Sequence, residues 1–152
     1  MTIPTDRHGL EVLDLAQCLT LLRSRPLGRL AYVAAGVPHV VPVNHVVDGS
    51  TVVLRALEGS KLGALERRAA VAFQLDDHDA ARGTGWSVLV QGWLEPVEGD
   101  VSRYADELDR WVGDDDAVTW MRVVPDTIAG RRLRRATGGQ RSPEPGAAGP
   151  AD

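Results

Sequence analysis

Between Arg29 and Leu57 the chain alternates apolar runs with very short breaks, and that spacing constrains the fold more than any other feature. Arg29–Ala34 is followed by Ala35-Gly36, then by valine-rich Val37–Val47, then by Asp48-Gly49 and Thr51–Leu57. Branched and aromatic residues on short segments favour extended backbone, and Asp-Gly is a strong hairpin signal because glycine accepts positive φ without strain. The stretch therefore reads as a three-strand meander.

The strand pattern continues beyond it. Ala70–Asp76 and Trp86–Val97 flank a polar loop, DDHDAARGTG, with Gly92 expected as a bend or bulge. Ala117–Val124 is the last strand, ended by Pro125 and a basic turn, GRRLRR. Helices fall between these segments. Asp14 and Gln17 have capping-box spacing ahead of Leu15, Cys18, Leu19 and Leu22, and Pro26 and Gly28 stop that helix. Ser60 is placed to cap a short helix from Lys61 to about Arg68. A further helix is expected over Val101–Val112, with Tyr104, Leu108 and Trp111 on one side.

Six short, mostly antiparallel strands with inserted helices predict a mainly β fold, a small barrel. At 152 residues, 43% of them hydrophobic, the chain suits one domain with a core of its own. Residues 1–13 read as an N-terminal arm, 14–136 as the domain and 137–152 as a disordered Gly/Pro-rich tail. In Thr51–Leu57, Val52, Leu54 and Ala56 face one way while Val53, Arg55 and Leu57 face the other. Apolar residues on both faces suggest that one packs against a second copy, so a homodimer is expected.

Composition removes several classes of function. The net charge of −4 and aromatic content of 5% supply neither the basic groove nor the stacking platforms of a nucleic-acid binder. No apolar run approaches the length of a membrane span, and the stretch MTIPTDRHG lacks the apolar core of a signal peptide. The single cysteine, Cys18, rules out an internal disulfide and zinc-ligand spacing. It is expected as a buried helix thiol, and it fits a reducing cytoplasm.

One basic residue stands apart. Lys61 is the only lysine, directly after Gly59-Ser60, and Arg55 lies near the end of the preceding strand. A helix N-terminus offers unpaired N–H groups and partial positive charge. With a serine hydroxyl, an ammonium and a nearby guanidinium it could take a phosphate. The alternative is a surface lysine beside a cap. Asn44, in "VPVNHVVDG", shares a strand face with Val40 and Val46 and needs hydrogen-bond partners, either a ligand edge or backbone. His39 and His45 share the other face, too far apart for one metal, with a solvated or interface role expected. Trp86 and Ser87 start a strand after Gly83-Thr84-Gly85. There an indole could stack on a planar ring or be an ordinary half-buried aromatic.

Five stretches in order carry a resemblance: "PLGRLAY", "VPHVVPVNHVVDG", "VVLRALEGSKL", "TGWSVLVQGWLEPV" and "MRVVPDTIAGRRL". Together they resemble the pyridoxamine 5'-phosphate oxidase-like, FMN-binding split-barrel family, in its short actinobacterial-type members. The resemblance covers about Asp14 to Leu133. It implies a six-stranded antiparallel split β-barrel that dimerises, with two flavin sites at the dimer interface. By likeness, Arg55, Ser60 and Lys61 hold the FMN phosphate, Val43 and Asn44 lie along the isoalloxazine edge, and Trp86 and Ser87 contact the ring or ribityl chain. Gln91 stands where relatives have a polar residue reaching the cofactor. The C-terminal Arg/His substrate pattern of the true oxidases is missing, so pyridoxamine phosphate is not the expected substrate. His45 replaces the aromatic often found after the asparagine.

The resemblance thus implies an FMN-dependent oxidoreductase with a small-molecule substrate and an electron donor, and no catalytic acid or base stands out. One alternative is a deazaflavin coenzyme, whose longer anionic tail Arg131, Arg132, Arg134 and Arg135 could meet; otherwise these arginines form a solvated basic end. The other is a non-catalytic flavin- or haem-binding protein, where His39 or His45 would have to be the axial ligand.

Overall fold

The computed structural model describes residues 2–108 and 117–135. Along the chain come β1 (Glu11–Leu13), α1 (Leu15–Arg23), β2 (Leu27–Ala34), β3 (Val37–Asp48), β4 (Thr51–Leu57), β5 (Ala70–Asp79), β6 (Thr84–Pro96), α2 (Ser102–Glu107) and β7 (Val118–Leu133). The strand order is β1-β7-β4-β3-β2-β5-β6, and every pairing is antiparallel. Because β7 also pairs with β6, six strands close on themselves and β1 adds a seventh outside the ring. Closure leaves six strands without a free edge.

The barrel interior follows the expected alternation. Val52, Leu54 and Ala56 of β4 point inward with Leu30, Phe73, Leu75, Val88, Val90 and Val123. Helix α1 closes one end. Its capping box forms as the sequence requires: Asp14 Oδ1 accepts from Gln17 N–H at 2.8 Å and Gln17 Oε1 accepts from Asp14 N–H at 2.9 Å. Cys18 and Leu22 enter the core from this helix, so the thiol is buried as expected. The helix can lie this close because β7 carries Gly130, where a Cβ would stand 2.7 Å from Cys18 Sγ.

The outer face of β3 and β4 is apolar for an internal reason. Val46 and Val53 pack under Tyr104 and Leu108 from the α2 segment, so this chain covers part of its own second face. On β2 and β3, Val33, Val37 and Val40 remain exposed, Val40 at 66%.

Several expectations need correction. No helix follows Ser60. Residues 58–64 make successive turns, with a single helical turn closed by Ala64 N–H to Ser60 O at 3.0 Å. Glycines at 59 and 63 disfavour a helix, and Gly63 packs where a Cβ would lie 2.6 Å from Leu57 O. The helix expected over Val101–Val112 is described only as Ser102–Glu107, and Trp111 lies outside the described residues, as does the 137–152 tail. The loop DDHDAARGTG is mostly strand: β5 runs to Asp79 and β6 starts at Thr84. The last strand does not end at Pro125. It continues to Leu133, with Pro125 opposite Gly92 at a register shift between Gln91 and Gly92, so the missing proline N–H falls at the bulge. Residues 11–13 of the expected arm are ordered as strand β1, against Gly130–Arg132.

Candidate functional site

Arg55 is the third residue from the end of β4, on its outer face, and its cross-strand partner is Trp120 of β7. The guanidinium Cζ lies 5.7 Å from the Trp120 ring centroid. Nine other arginines (25, 29, 68, 82, 103, 122, 131, 132 and 134) have a carboxylate within ion-pair distance. Among the described residues Arg55, half-buried, has none, and its charge is left over an aromatic face.

The turn after β4 carries the next two candidates. Ser60 Oγ donates to Leu57 O at 2.6 Å and accepts from Gly63 N–H at 3.0 Å, so the hydroxyl stabilises the turn. Lys61 is exposed and lines a cavity of about 470 Å³ with Val33, Leu65, Arg67 and Arg68.

Asn44 stands one residue beyond the His45–Leu54 pair of the β3–β4 ladder, as Arg55 does on the other strand, so both occupy the same ladder end. Its Nδ2 donates weakly to Pro26 O at 3.4 Å, and its Oδ1 is buried without a partner. A buried acceptor left orphaned costs free energy until something donates to it. Val43 points the other way, into the barrel core.

Trp86 and Ser87 belong to β6, where they pair with Asp77 and Asp76 on one side and Arg132 and Arg131 on the other. Trp86 lines a groove of about 970 Å³ with Arg25, His78, Arg132, Arg134 and Arg135. Gln91 lies further along β6, where its Oε1 accepts from Thr127 Oγ1 at 3.4 Å, and it lines a third cavity with Trp93 and Arg68. The chain therefore groups Asn44 with Arg55 and places Lys61, Trp86 and Gln91 in three separate cavities.

His45 corrects the expectation of a solvated or interface role. Its side chain is buried, with Nε2 2.7 Å from Leu22 O and the ring 4.8 Å from that of Phe73. Its backbone N–H donates to Pro26 O at 3.0 Å. Burial holds the imidazole pKa below its ordinary value, against the opposing pull of the Leu22 and Pro26 carbonyls. With one ring nitrogen engaged and the other buried, it presents no ligand atom to a haem. His39 is half-buried and stacks on Tyr32 at 5.1 Å.

Three of the four C-terminal arginines are ion-paired, and among the described residues only Arg135 is left as the expected solvated basic end. Arg131 Nε donates to Asp6 Oδ2 at 3.0 Å, and Arg132 and Arg134 share Glu11, at 3.7 and 2.5 Å. Two guanidinium groups thus meet one carboxylate. Trp120, Asp6 and Glu11 were not among the candidates from sequence. Their partners lie 65 or more positions away, at Arg55, Arg131 and Arg134, and only the β4–β7 and β1–β7 registers bring them together.

Arg55 and Lys61, neither with a carboxylate partner among the described residues, and the orphaned Asn44 acceptor fit a cofactor with a phosphate and a polar ring edge. Comparisons agree. The family model described as pyridoxamine 5'-phosphate oxidase matches residues 14–132. An uncharacterized protein of Mycobacterium tuberculosis, Rv0080, is 34% identical over 140 residues, covering 82% of this chain and 92% of its own. The FAD binding protein from Mycobacterium smegmatis superposes with a TM-score of 0.65 at 34% identity, over 82% of this chain and 99% of that one. An FAD-binding protein from Mesorhizobium loti shares the fold at a TM-score of 0.64 and 20% identity, over 81% and 96% of the two chains.

Proposed function

Because this chain belongs to the pyridoxamine 5'-phosphate oxidase family, we propose that it is a flavin-dependent oxidoreductase that holds FMN between the two protomers of a homodimer. The observation that carries this reading is the half-buried Arg55, charged and without a carboxylate partner among the described residues, on the strand that leads into Ser60-Lys61. A phosphate dianion there would supply the missing counter-charge. Bound flavin would supply the electron transfer, and the protein would supply orientation and polarity. Arg55 and Lys61 hold the phosphate, the Ser60 hydroxyl keeps the turn in shape, and the Asn44 carboxamide accepts from the ring edge. The substrate is a small molecule other than pyridoxamine 5'-phosphate, reduced or oxidised with a separate electron donor.

Two observations support the second copy. The exposed Val33, Val37 and Val40 lie on adjacent strands, and the candidate residues of one protomer are divided among separate cavities. A composite site would join the Arg55 end of one protomer to the Trp86 groove of the other. The lone reduced thiol of Cys18 suits a cytoplasmic location.

Absorbance of the purified protein before and after loading with FMN tests the reading. A retained flavin spectrum is expected, with Lys61→Ala weakening FMN retention. A wild-type protein that stays colourless in excess flavin would sink it.

A second cofactor, FAD, is favoured by the Trp86 groove. Its arginines exceed their carboxylate partners, as Arg132 and Arg134 share Glu11, and a relative 34% identical is an FAD binding protein. Parallel titrations with FMN, FAD and the deazaflavin coenzyme decide: tighter binding of FAD than of FMN would replace FMN as the cofactor.

A further inference from the structure

We infer that Trp120 is a positioning residue, holding the Arg55 guanidinium so that its N–H donors stay free for a phosphate and thereby setting a preference for phosphorylated over unphosphorylated ligand. This rests on the flavin reading above.

The geometry is a braced stack. Arg55 and Trp120 are direct cross-strand partners, with Cζ 5.7 Å from the ring centroid. Beside Trp120 stands Tyr104, 6.1 Å away between centroids and tilted by 36°. Tyr104 is itself pinned: its hydroxyl donates to Asp48 Oδ2 at 2.6 Å, and Arg103 donates to the same carboxylate at 2.8 Å while lying over the tyrosine ring at 4.5 Å. The indole is therefore fixed by the β3 terminus and α2, not by Arg55.

The chemistry separates this arrangement from that of Arg134, an ion-paired arginine of the same barrel. A carboxylate partner occupies guanidinium N–H groups and cancels the charge. An aromatic face attracts the cation while leaving the edge of the planar fork open. Arg134, bound to Glu11 through two nitrogens, shows the first kind and Arg55 the second. A half-buried arginine restrained in this way loses less freedom when an anion arrives.

The test compares FMN with riboflavin, which lacks the phosphate, by quenching of flavin fluorescence in wild type, Trp120→Leu, Trp120→Phe and Arg55→Ala. Trp120→Leu is expected to weaken FMN about three- to ten-fold and riboflavin less than two-fold, and Trp120→Phe to recover most of the loss. In the Arg55→Ala background, Trp120→Leu should change FMN affinity no further. Equal weakening of both ligands by Trp120→Leu, or a further loss in the double variant, would overturn the inference and leave Trp120 a packing residue. Should Trp120→Leu not fold, an unchanged FMN-to-riboflavin ratio in Arg55→Ala would overturn it as well. Wild type that binds neither ligand overturns the flavin reading itself, a result distinct from these.

Discussion

Gly92 of β6 faces Pro125 of β7 at the one bulge in their ladder, so closely that a Cβ on Gly92 would lie 1.9 Å from the Val124 carbonyl oxygen. The obstacle is backbone, which cannot swing aside as a side chain would. The two strands close the barrel here, and the proline's missing N–H falls at the same irregularity.

Gly92→Ala should therefore destabilise by about 2–3 kcal/mol, near the upper end for overpacking, since relief requires both strands to shift. Urea unfolding should show a lower midpoint with an unchanged slope. A wild-type midpoint would mean that the bulge relaxes freely.

Glu11 anchors the other edge of β7. Its carboxylate accepts from Arg134 Nε at 2.5 Å and Nη2 at 3.2 Å. The hydrogen bonds from Arg134 hold its pKa below the usual value of 4.5, against desolvation and with help from the charges of Arg134 and Arg132. A lowered folded-state pKa contributes stability that is present above the unfolded value and lost as pH falls through the folded one. Glu11→Gln should thus lower Tm at pH 7, and the gap from wild type should narrow as pH drops below 4.5. A gap independent of pH would assign the residue to packing alone.

These two positions show what was legible from sequence. Gly92 was, because an isolated glycine in an apolar strand implies a bulge or a close approach. The meander was equally plain, although the turn before β4 falls one residue later than Asp48-Gly49. Asp48 pairs with Thr51, leaving Gly49 (φ +60) and Ser50 at the tip. Local pattern failed where tertiary closure decided. Pro125 reads as a terminus, yet β7 needs its second half to seal β6, and the ladder tolerates proline at the bulge. His45 reads as polar on a strand, yet its inward register and the Leu22 carbonyl bury it. The Arg55 side of the proposed site stood out in the sequence because glycine, serine and a lone lysine follow it. The Trp120 contact was not, since it arises from pairing strands 65 positions apart.

Val40, opposite Ala31 on the outer face of β3, tests the proposed association. A charge at the centre of an apolar interface opposes pairing of two copies, while on an exposed position it leaves the protomer intact. Val40→Asp should convert a dimer into a monomer in light scattering, and flavin retention should fall with it. A wild-type protein that scatters as a monomer at micromolar concentration would remove the interface from this face and the composite site with it.

His45 should make the stability fall as pH drops below neutrality. Burial lowers its folded-state pKa from 6.5, outweighing the Leu22 and Pro26 carbonyls, and Nδ1 is buried without a partner. Below 6.5 the unfolded chain binds a proton that the folded barrel resists, so the contribution is full above that pH and fades as pH falls through the folded value. Protonation would put a second N–H where no acceptor waits, beside Phe73. Unfolding midpoints in guanidinium chloride at pH 7.5 and 5.5 should therefore differ, wild type being less stable at the lower pH. Replacing His45 by Gln retains a donor for Leu22 O and removes the titration, so the same comparison should flatten. If the variant keeps the wild-type slope, the acid sensitivity arises elsewhere and the imidazole only fills space between α1 and β5.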